Sequence, residues 1–363
     1  MEYGFDLLTK TLDSYLDIGV PFYDCIVLKD GECVYRNMNG FTDAERKIRP
    51  DGKELYNIYS CSKLITCVAA LQLLEKGAFR LDDNLSDYMP EFSDMSVMTE
   101  SGIVKAKNPI RIWNLFTMTA GFSYDVSSPW LKKCREETAG ACPTREVMKY
   151  LAKEPLWFEP GEHWAYSLCH DVLAALIEVA SGRKFGDYVE KNVFDPLGIK
   201  RSSFKRNKFC ENEIVNQFEY HIDTNDCTVT DKGNELQIGS EYESGGAGCI
   251  STVDDYIKLE EAIRKGDIIL GKETTKLLYT NAINQKQSET LWENARYGYG
   301  LGQRCPKDAQ RSDFGWDSMA GSLHSIDIKN GISLYFGTHV LRHTPLAQRR
   351  LELILIAKEI ICR

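Results

Sequence analysis

The chain has 363 residues, 43% of them hydrophobic and 27% charged, with a formal net charge of −9. This is the composition of a folded globular protein able to bury a large core, and it excludes a disordered chain. The acidic balance argues against nucleic acid as a main partner, because phosphate binding calls for a basic face.

The opening residues, Met1 to Leu8, include acidic side chains and no long apolar core, so they do not read as a signal peptide. No window approaches the roughly 18 apolar residues of a membrane helix. A cytoplasmic protein with no membrane span is expected, and its oligomeric state is left open. The twelve cysteines read as reduced thiols that pack as small hydrophobes. There is no C-x-x-C pair and no H-E-x-x-H, so neither a metal site nor a cofactor is expected.

Apolar positions at 5, 8, 12, 15 and 16 predict a first helix ending near Gly19. Two strand-like runs follow, Asp24 to Leu28 and Glu32 to Arg36, joined by Lys29-Asp30-Gly31, a strong hairpin signal. A polar connection from Gly40 to Lys53 leads to Tyr56-Asn57-Ile58-Tyr59-Ser60-Cys61-Ser62-Lys63. Apolar residues at 61, 64, 65, 68, 71 and 74 then predict a helix with one buried stripe, stopped by Gly77. From about 80 to 240 the chain reads as short helices and long loops. A second buried helix runs through Val172, Leu173, Leu176, Ile177 and Ala180 to the Gly182 stop.

Thr252 with Asp255 marks a helix start, and that helix should run through Ile263 to Gly266. Strand signals return at Tyr297 to Gly302. A hairpin is predicted from His324 to Ile328, through Lys329-Asn330-Gly331, to Ile332 to Phe336. The last helix should run from about Pro345 to near Ile361.

Strand signals therefore sit near both ends of the chain and helices fill its middle. The architecture this predicts is α/β of the α+β type: an antiparallel sheet built from both chain ends and flanked by terminal helices, with a mainly helical lobe inserted. The whole of 1–363 forms one domain, with a sheet lobe at about 1–58 and 241–363 and a helical lobe at about 59–240. Loops within 205–240 and 280–296 are expected to shape the pocket.

Ser60 opens a strongly apolar helix, near the positive end of its dipole, and Lys63 lies three residues on along the same face. A serine hydroxyl needs such a neighbouring base to react near neutral pH. The pattern S-x-x-K alone is weak, since it also occurs at Ser181/Lys184 and Ser202/Lys205, neither of which opens a buried helix. No G-x-S-x-G elbow exists. Ser244, before Gly245-Gly246, reads as part of a tight backbone passage rather than as a nucleophile.

At this point the chain resembles the serine beta-lactamase-like hydrolases allied to class C beta-lactamases, DD-peptidases and the esterases of that fold. The resemblance runs through Ser60 to Lys63, Leu74-Glu75-Lys76-Gly77 with Leu81-Asp82-Asp83, and Leu115 to Phe122. It continues through Pro160-Gly161 to Tyr166-Ser167, Phe194 to Ile199, Gly245 to Thr252, and Gly298 to Gly302.

The resemblance implies catalytic roles for Ser60, Lys63 and Tyr166. Lys63 and Tyr166 would share the serine proton and later return it to the leaving group. It implies an oxyanion hole from the backbone N–H groups of Ser60 and Met319. The family's strand triplet maps onto Trp316-Asp317-Ser318, which makes Trp316 and Ser318 substrate-binding positions, with Leu168 a third.

Two positions depart from the pattern. Leu168 stands where the family often has Asn, and Ser318 where it has Gly. His170 is a candidate partner of Lys63 in place of the missing Asn, and His324 a candidate pocket residue. With Trp316 offering no cation, esters, lactones or small amides are expected as small-molecule acyl substrates rather than beta-lactams. Two alternatives share the same residues: an acyltransferase using the same acyl-enzyme, and a binding or assembly protein whose chemistry is impaired.

Overall fold

The computed structural model describes residues 3–231, 233–291, 297–307 and 311–363. At its centre lies a seven-stranded sheet. Two strands come from the start of the chain, β1 (Phe22–Lys29) and β2 (Glu32–Gly40). Five come from its last third: β3 (Tyr297–Tyr299), β4 (Arg304–Pro306), β5 (Asp313–Asp317), β6 (Leu323–Asp327) and β7 (Ile332–Gly337). Their spatial order is β2-β1-β7-β6-β5-β4-β3, with every neighbouring pair antiparallel.

The β1–β2 turn is made by Asp30 and Gly31 at φ of 52° and 92°. Two such residues with positive φ match the right-handed strand twist, which is why Asp-Gly encodes the hairpin. Five longer helices frame the sheet: α1 (Asp6–Asp17), α2 (Ser62–Glu75), α3 (Cys169–Ser181), α4 (Val253–Lys265) and α5 (Glu352–Cys362).

Alternation along the strands sorts the core into two. Cys25 and Val27 of β1 face one side with Leu334 and Phe336 of β7, where Leu8, Leu12 and Tyr15 of α1 meet Leu353 and Ala357 of α5. Ile26 and Leu28 face the other side, packed with α4 and the helical lobe. Each fully buried Leu, Val or Phe contributes about 1.5–3 kcal/mol relative to exposure.

Three features differ from the sequence reading. Helix α2 does not bury one stripe: every residue from Ser62 to Leu73 is buried. It runs inside the protein, packed against α3 and the segment Phe185–Phe194, so water meets none of its faces there. The single C-terminal helix is two pieces, Thr344–Arg349 and α5, and the break falls at Arg350, whose side chain is drawn inward to Asp317. The polar stretch after 205 contains a hairpin, Gln217–His221 with Asp226–Thr230, which pairs in parallel with Val340–Leu341. Residues 232 and 292–296 of the expected pocket loops lie outside the described residues.

Candidate active site

Ser60 is set in place by the backbone on both sides of it. Tyr56–Asn57 pairs antiparallel with Ile250–Ser251, and the chain then turns through the short 3-10 segment Tyr59–Cys61 into α2. Tyr59 sits at φ 43°, a left-handed value that costs a non-glycine residue roughly 1–3 kcal/mol. Its buried ring and a 2.8 Å bond from its hydroxyl to Gln217 Oε1 hold it there.

The three side chains singled out from the sequence converge on this turn. Ser60 Oγ lies 2.6 Å from Tyr166 Oη. Lys63 Nζ donates to Ser60 Oγ at 3.2 Å and to the Gly246 carbonyl at 2.6 Å. The lysine is fully buried, and its Nζ lies 4.6 Å from the Tyr166 ring centroid and 5.6 Å from that of Tyr124. The arrangement can pass a proton between serine, tyrosine and lysine.

Strand β5 packs against the Ser60 turn and brings Trp316 onto Tyr166. The two rings stack 5.8 Å apart at 8°, and Tyr299 meets Trp316 edge-on at 5.5 Å. This wall fixes the phenol in one orientation. Met319 follows at the tip of the next turn and is partly exposed.

Ser318 behaves differently from the expectation that its side chain faces an incoming acyl group. It is buried, its hydroxyl accepts from the Ala320 N–H at 3.1 Å, and its own N–H donates to Ser322 O at 2.8 Å. The side chain is occupied in holding the turn.

Leu168 is also buried, its N–H bonded to Ser123 O, and it leaves Lys63's second bond to the Gly246 carbonyl. His170 forms no hydrogen bond to Lys63 in the structure. Its Nε2 lies 3.4 Å from Phe116 O and 3.8 Å from Cys67 Sγ. Burial, with the nearby lysine, pushes His170 down to about 3. His324 is buried beside Tyr256 on β6, opposite Trp316 in the ladder, and burial pushes it down to about 3 as well.

A carboxylate near Lys63 to which the sequence reading gave no role is one residue further on. Asp171 Oδ1 accepts from Tyr242 Oη at 2.7 Å and Ser244 Oγ at 2.6 Å. Burial pushes its carboxyl upward, while these two hydroxyls and Lys63 pull the other way. A methyl group on Gly246 would lie 2.6 Å from Asp171 Oδ2 and 3.4 Å from Lys63 Nζ. The carboxylate and the lysine nitrogen are therefore no more than 6.0 Å apart, the sum of those two distances. Only glycine fits between them. The neighbouring Gly245 runs equally close to the His170 carbonyl, and its own carbonyl accepts from Thr66 Oγ1 at 2.7 Å. An acidic residue in the first turn of the largely apolar α3 was the available signal.

Beyond Trp316 the cleft wall is not purely aromatic, since Arg304 and Arg350 stand beside it. Among the described residues no group of three His, Cys, Asp or Glu side chains is placed to hold a metal ion. No helix among them is long and apolar enough to cross a membrane.

Comparison with known proteins places the chain in a family. The sequence pattern of the Beta-lactamase family matches residues 20–358. The chain is 29% identical to the ML-236A carboxylate methylbutanoyltransferase of Penicillium citrinum, over 77% of this chain and 69% of that protein. It is 30% identical to Esterase EstB of Burkholderia gladioli, over 66% of this chain and 64% of the esterase. Among solved structures, EstCE1, a hydrolase with promiscuous acyltransferase activity, shares the fold. The TM-score is 0.80 at 22% identity, covering 98% of this chain and 97% of that one. The match spans nearly the whole chain, and the protein belongs to the beta-lactamase family.

Proposed function

We propose that the protein is a serine hydrolase that works through an acyl-Ser60 intermediate on small-molecule esters, lactones or small amides. The observation that carries this reading is the cluster of three groups, with Ser60 Oγ bonded to Tyr166 at 2.6 Å and to Lys63 at 3.2 Å.

Ser60 Oγ attacks the substrate carbonyl as its proton passes through the Tyr166 hydroxyl to the Lys63 amine, the two acting together as general base. Asp171, no more than 6.0 Å from Lys63 Nζ by the sum of the 2.6 and 3.4 Å distances at Gly246, stabilises the positive charge that Lys63 gains in this step. The N–H groups of Ser60 and Met319 receive the oxyanion. Collapse breaks the bond to the leaving group, which takes the proton back through Tyr166. A water molecule then repeats the sequence on the acyl-enzyme and frees the acid. Beta-lactams are poor substrates in this reading, because Leu168 and Trp316 replace polar groups of the family pattern.

Hydrolysis of 4-nitrophenyl butyrate tests the proposal. Turnover that disappears in Ser60→Ala supports it, and turnover that survives the substitution rejects it.

A second reading is acyl transfer, in which an alcohol or amine replaces the water. It is favoured by the methylbutanoyltransferase among the relatives. Product analysis with added alcohols separates the two. We also infer a cytoplasmic location, supported by twelve cysteines that all stand as free thiols.

A further inference from the structure

An oxyanion donor is effective only if its N–H is aimed in advance at the place where charge develops. Of the two donors named above, Ser60 belongs to the turn that opens α2, whereas Met319 stands partly exposed in the turn between β5 and β6. That turn is tied to the nucleophile. β5 packs on Tyr59–Cys61, and Ala320 shares a small buried apolar cluster with Tyr59, the residue before Ser60. Within the turn, the Ser318 N–H bonds Ser322 O at 2.8 Å and the Gly321 N–H bonds Ser318 O at 3.1 Å. Among the described residues no acceptor is bonded to the Met319 N–H.

The Ser318 carbonyl has a second and stronger partner. Arg350 Nη1 donates to it at 2.7 Å, and Nη2 of the same guanidinium lies 2.8 Å from Asp317 Oδ2. A charged donor makes a hydrogen bond roughly twice as strong as a neutral one, and the planar fork sets both contacts together. Arg350 arrives from far along the chain. It sits at the break between Thr344–Arg349 and α5, where its own N–H still closes on Leu346 O at 2.8 Å, and it is buried. The Ser318–Met319 peptide is trans, so its carbonyl and its N–H lie in one plane and point opposite ways. Holding the Ser318 carbonyl on Arg350 therefore holds the Met319 N–H on the other side of that plane.

We propose that Arg350 is a positioning residue for the reaction. By gripping the Ser318 carbonyl, and being gripped in turn by Asp317, it keeps the Met319 N–H aimed at the oxyanion. Its partners in this are protein groups, neither substrate nor Ser60. The proposal rests on the acyl-Ser60 reading, and it assigns the aim of one oxyanion donor to a side chain from the C-terminal segment. Arg304 Nη1 lies 3.7 Å from the same Asp317 oxygen, so Asp317 keeps a cation beside it when Arg350 is replaced.

Arg350→Gln in the full-length protein tests the role. Hydrolysis of 4-nitrophenyl butyrate should fall by about 10- to 100-fold in kcat, with KM changed by less than about threefold. Phenylboronic acid adds to a serine oxygen and mimics the tetrahedral intermediate, so its inhibition constant should weaken by about the same factor as kcat/KM. A partly unfolded sample lowers the apparent kcat but leaves that constant unchanged, so parallel losses mark positioning rather than lost structure. Asp317→Asn keeps the arginine and loosens its anchor; it should move both quantities the same way by about 3- to 10-fold. It carries the test if Arg350→Gln does not fold, which circular dichroism establishes. Wild-type kcat, or a lowered kcat with an unchanged boronic acid constant, overturns the proposal and leaves the acyl-Ser60 reading in place. If the wild-type protein shows no turnover that depends on Ser60, that reading and the role of Arg350 fall together.

Discussion

Replacing Asp171 by Asn changes one charge in the buried core of the site and almost no volume. Asn can keep its oxygen toward Tyr242 and Ser244, which now donate at 2.7 and 2.6 Å. What is lost is the negative charge within 6.0 Å of Lys63 Nζ, the limit set by the two distances of 2.6 and 3.4 Å at Gly246. At an effective dielectric of about 20, that charge pair is worth about 3 kcal/mol, or roughly a hundredfold in an equilibrium. If Asp171 supports the charge that Lys63 gains as it takes the Ser60 proton, Asp171→Asn lowers kcat/KM at neutral pH by about 10- to 100-fold. Steady-state ester hydrolysis reads the effect, and circular dichroism separates it from unfolding. Wild-type activity in the folded variant refutes the role given to Asp171.

Tyr166→Phe removes the hydroxyl 2.6 Å from Ser60 and leaves the ring stacked on Trp316. Ester hydrolysis should fall by about 10²–10⁴-fold with the thermal midpoint little changed, and a loss below tenfold removes Tyr166 from proton transfer. Leu168→Asn restores the family residue at a buried position, and should cost about 1–3 kcal/mol in denaturant unfolding without creating nitrocefin hydrolysis. Appreciable nitrocefin turnover in this variant shows instead that Leu168 alone sets the substrate class.

His324, pushed down from 6.5 to about 3 by burial, resists protonation in the folded state. Its contribution to stability is complete above pH 6.5 and is lost as pH falls toward 3. At pH 5 the loss amounts to about 2 kcal/mol, at about 1.4 kcal/mol per pH unit. His324→Leu should therefore lose about 2 kcal/mol less than wild type between pH 7.5 and 5 in urea unfolding, and identical losses contradict the assignment.

The frame of this fold was readable because local rules agree with its tertiary structure. Asp30-Gly31 lies between two strand-like runs and makes the hairpin turn locally, and Thr252 caps α4 through the Asp255 N–H at 3.2 Å as its spacing implies. Helix α2 was legible as a helix but not as one buried on all sides, since periodicity records one face and not what covers the others. The Gln217–Thr230 hairpin was obscured by polar, half-exposed strands that carry little alternation.

In the candidate site, Ser60, Lys63 and Tyr166 were singled out through motif order, and the structure brings them together. Asp171 was not, because its importance comes from where Gly246 passes between two helices rather than from any spacing along the chain. Arg304 escaped for the same reason: it faces the cleft only because β4 lies beside β5, and strand order is a long-range property.

The nucleophile is the claim on which the rest depends, and a covalent adduct tests it most directly. Incubation with a fluorophosphonate, followed by intact-mass and peptide mass spectrometry, should show one adduct, on Ser60, that is absent in Ser60→Ala and forms at least about 100-fold more slowly in Lys63→Ala. An adduct on another residue, or one that persists in Ser60→Ala, would contradict the account.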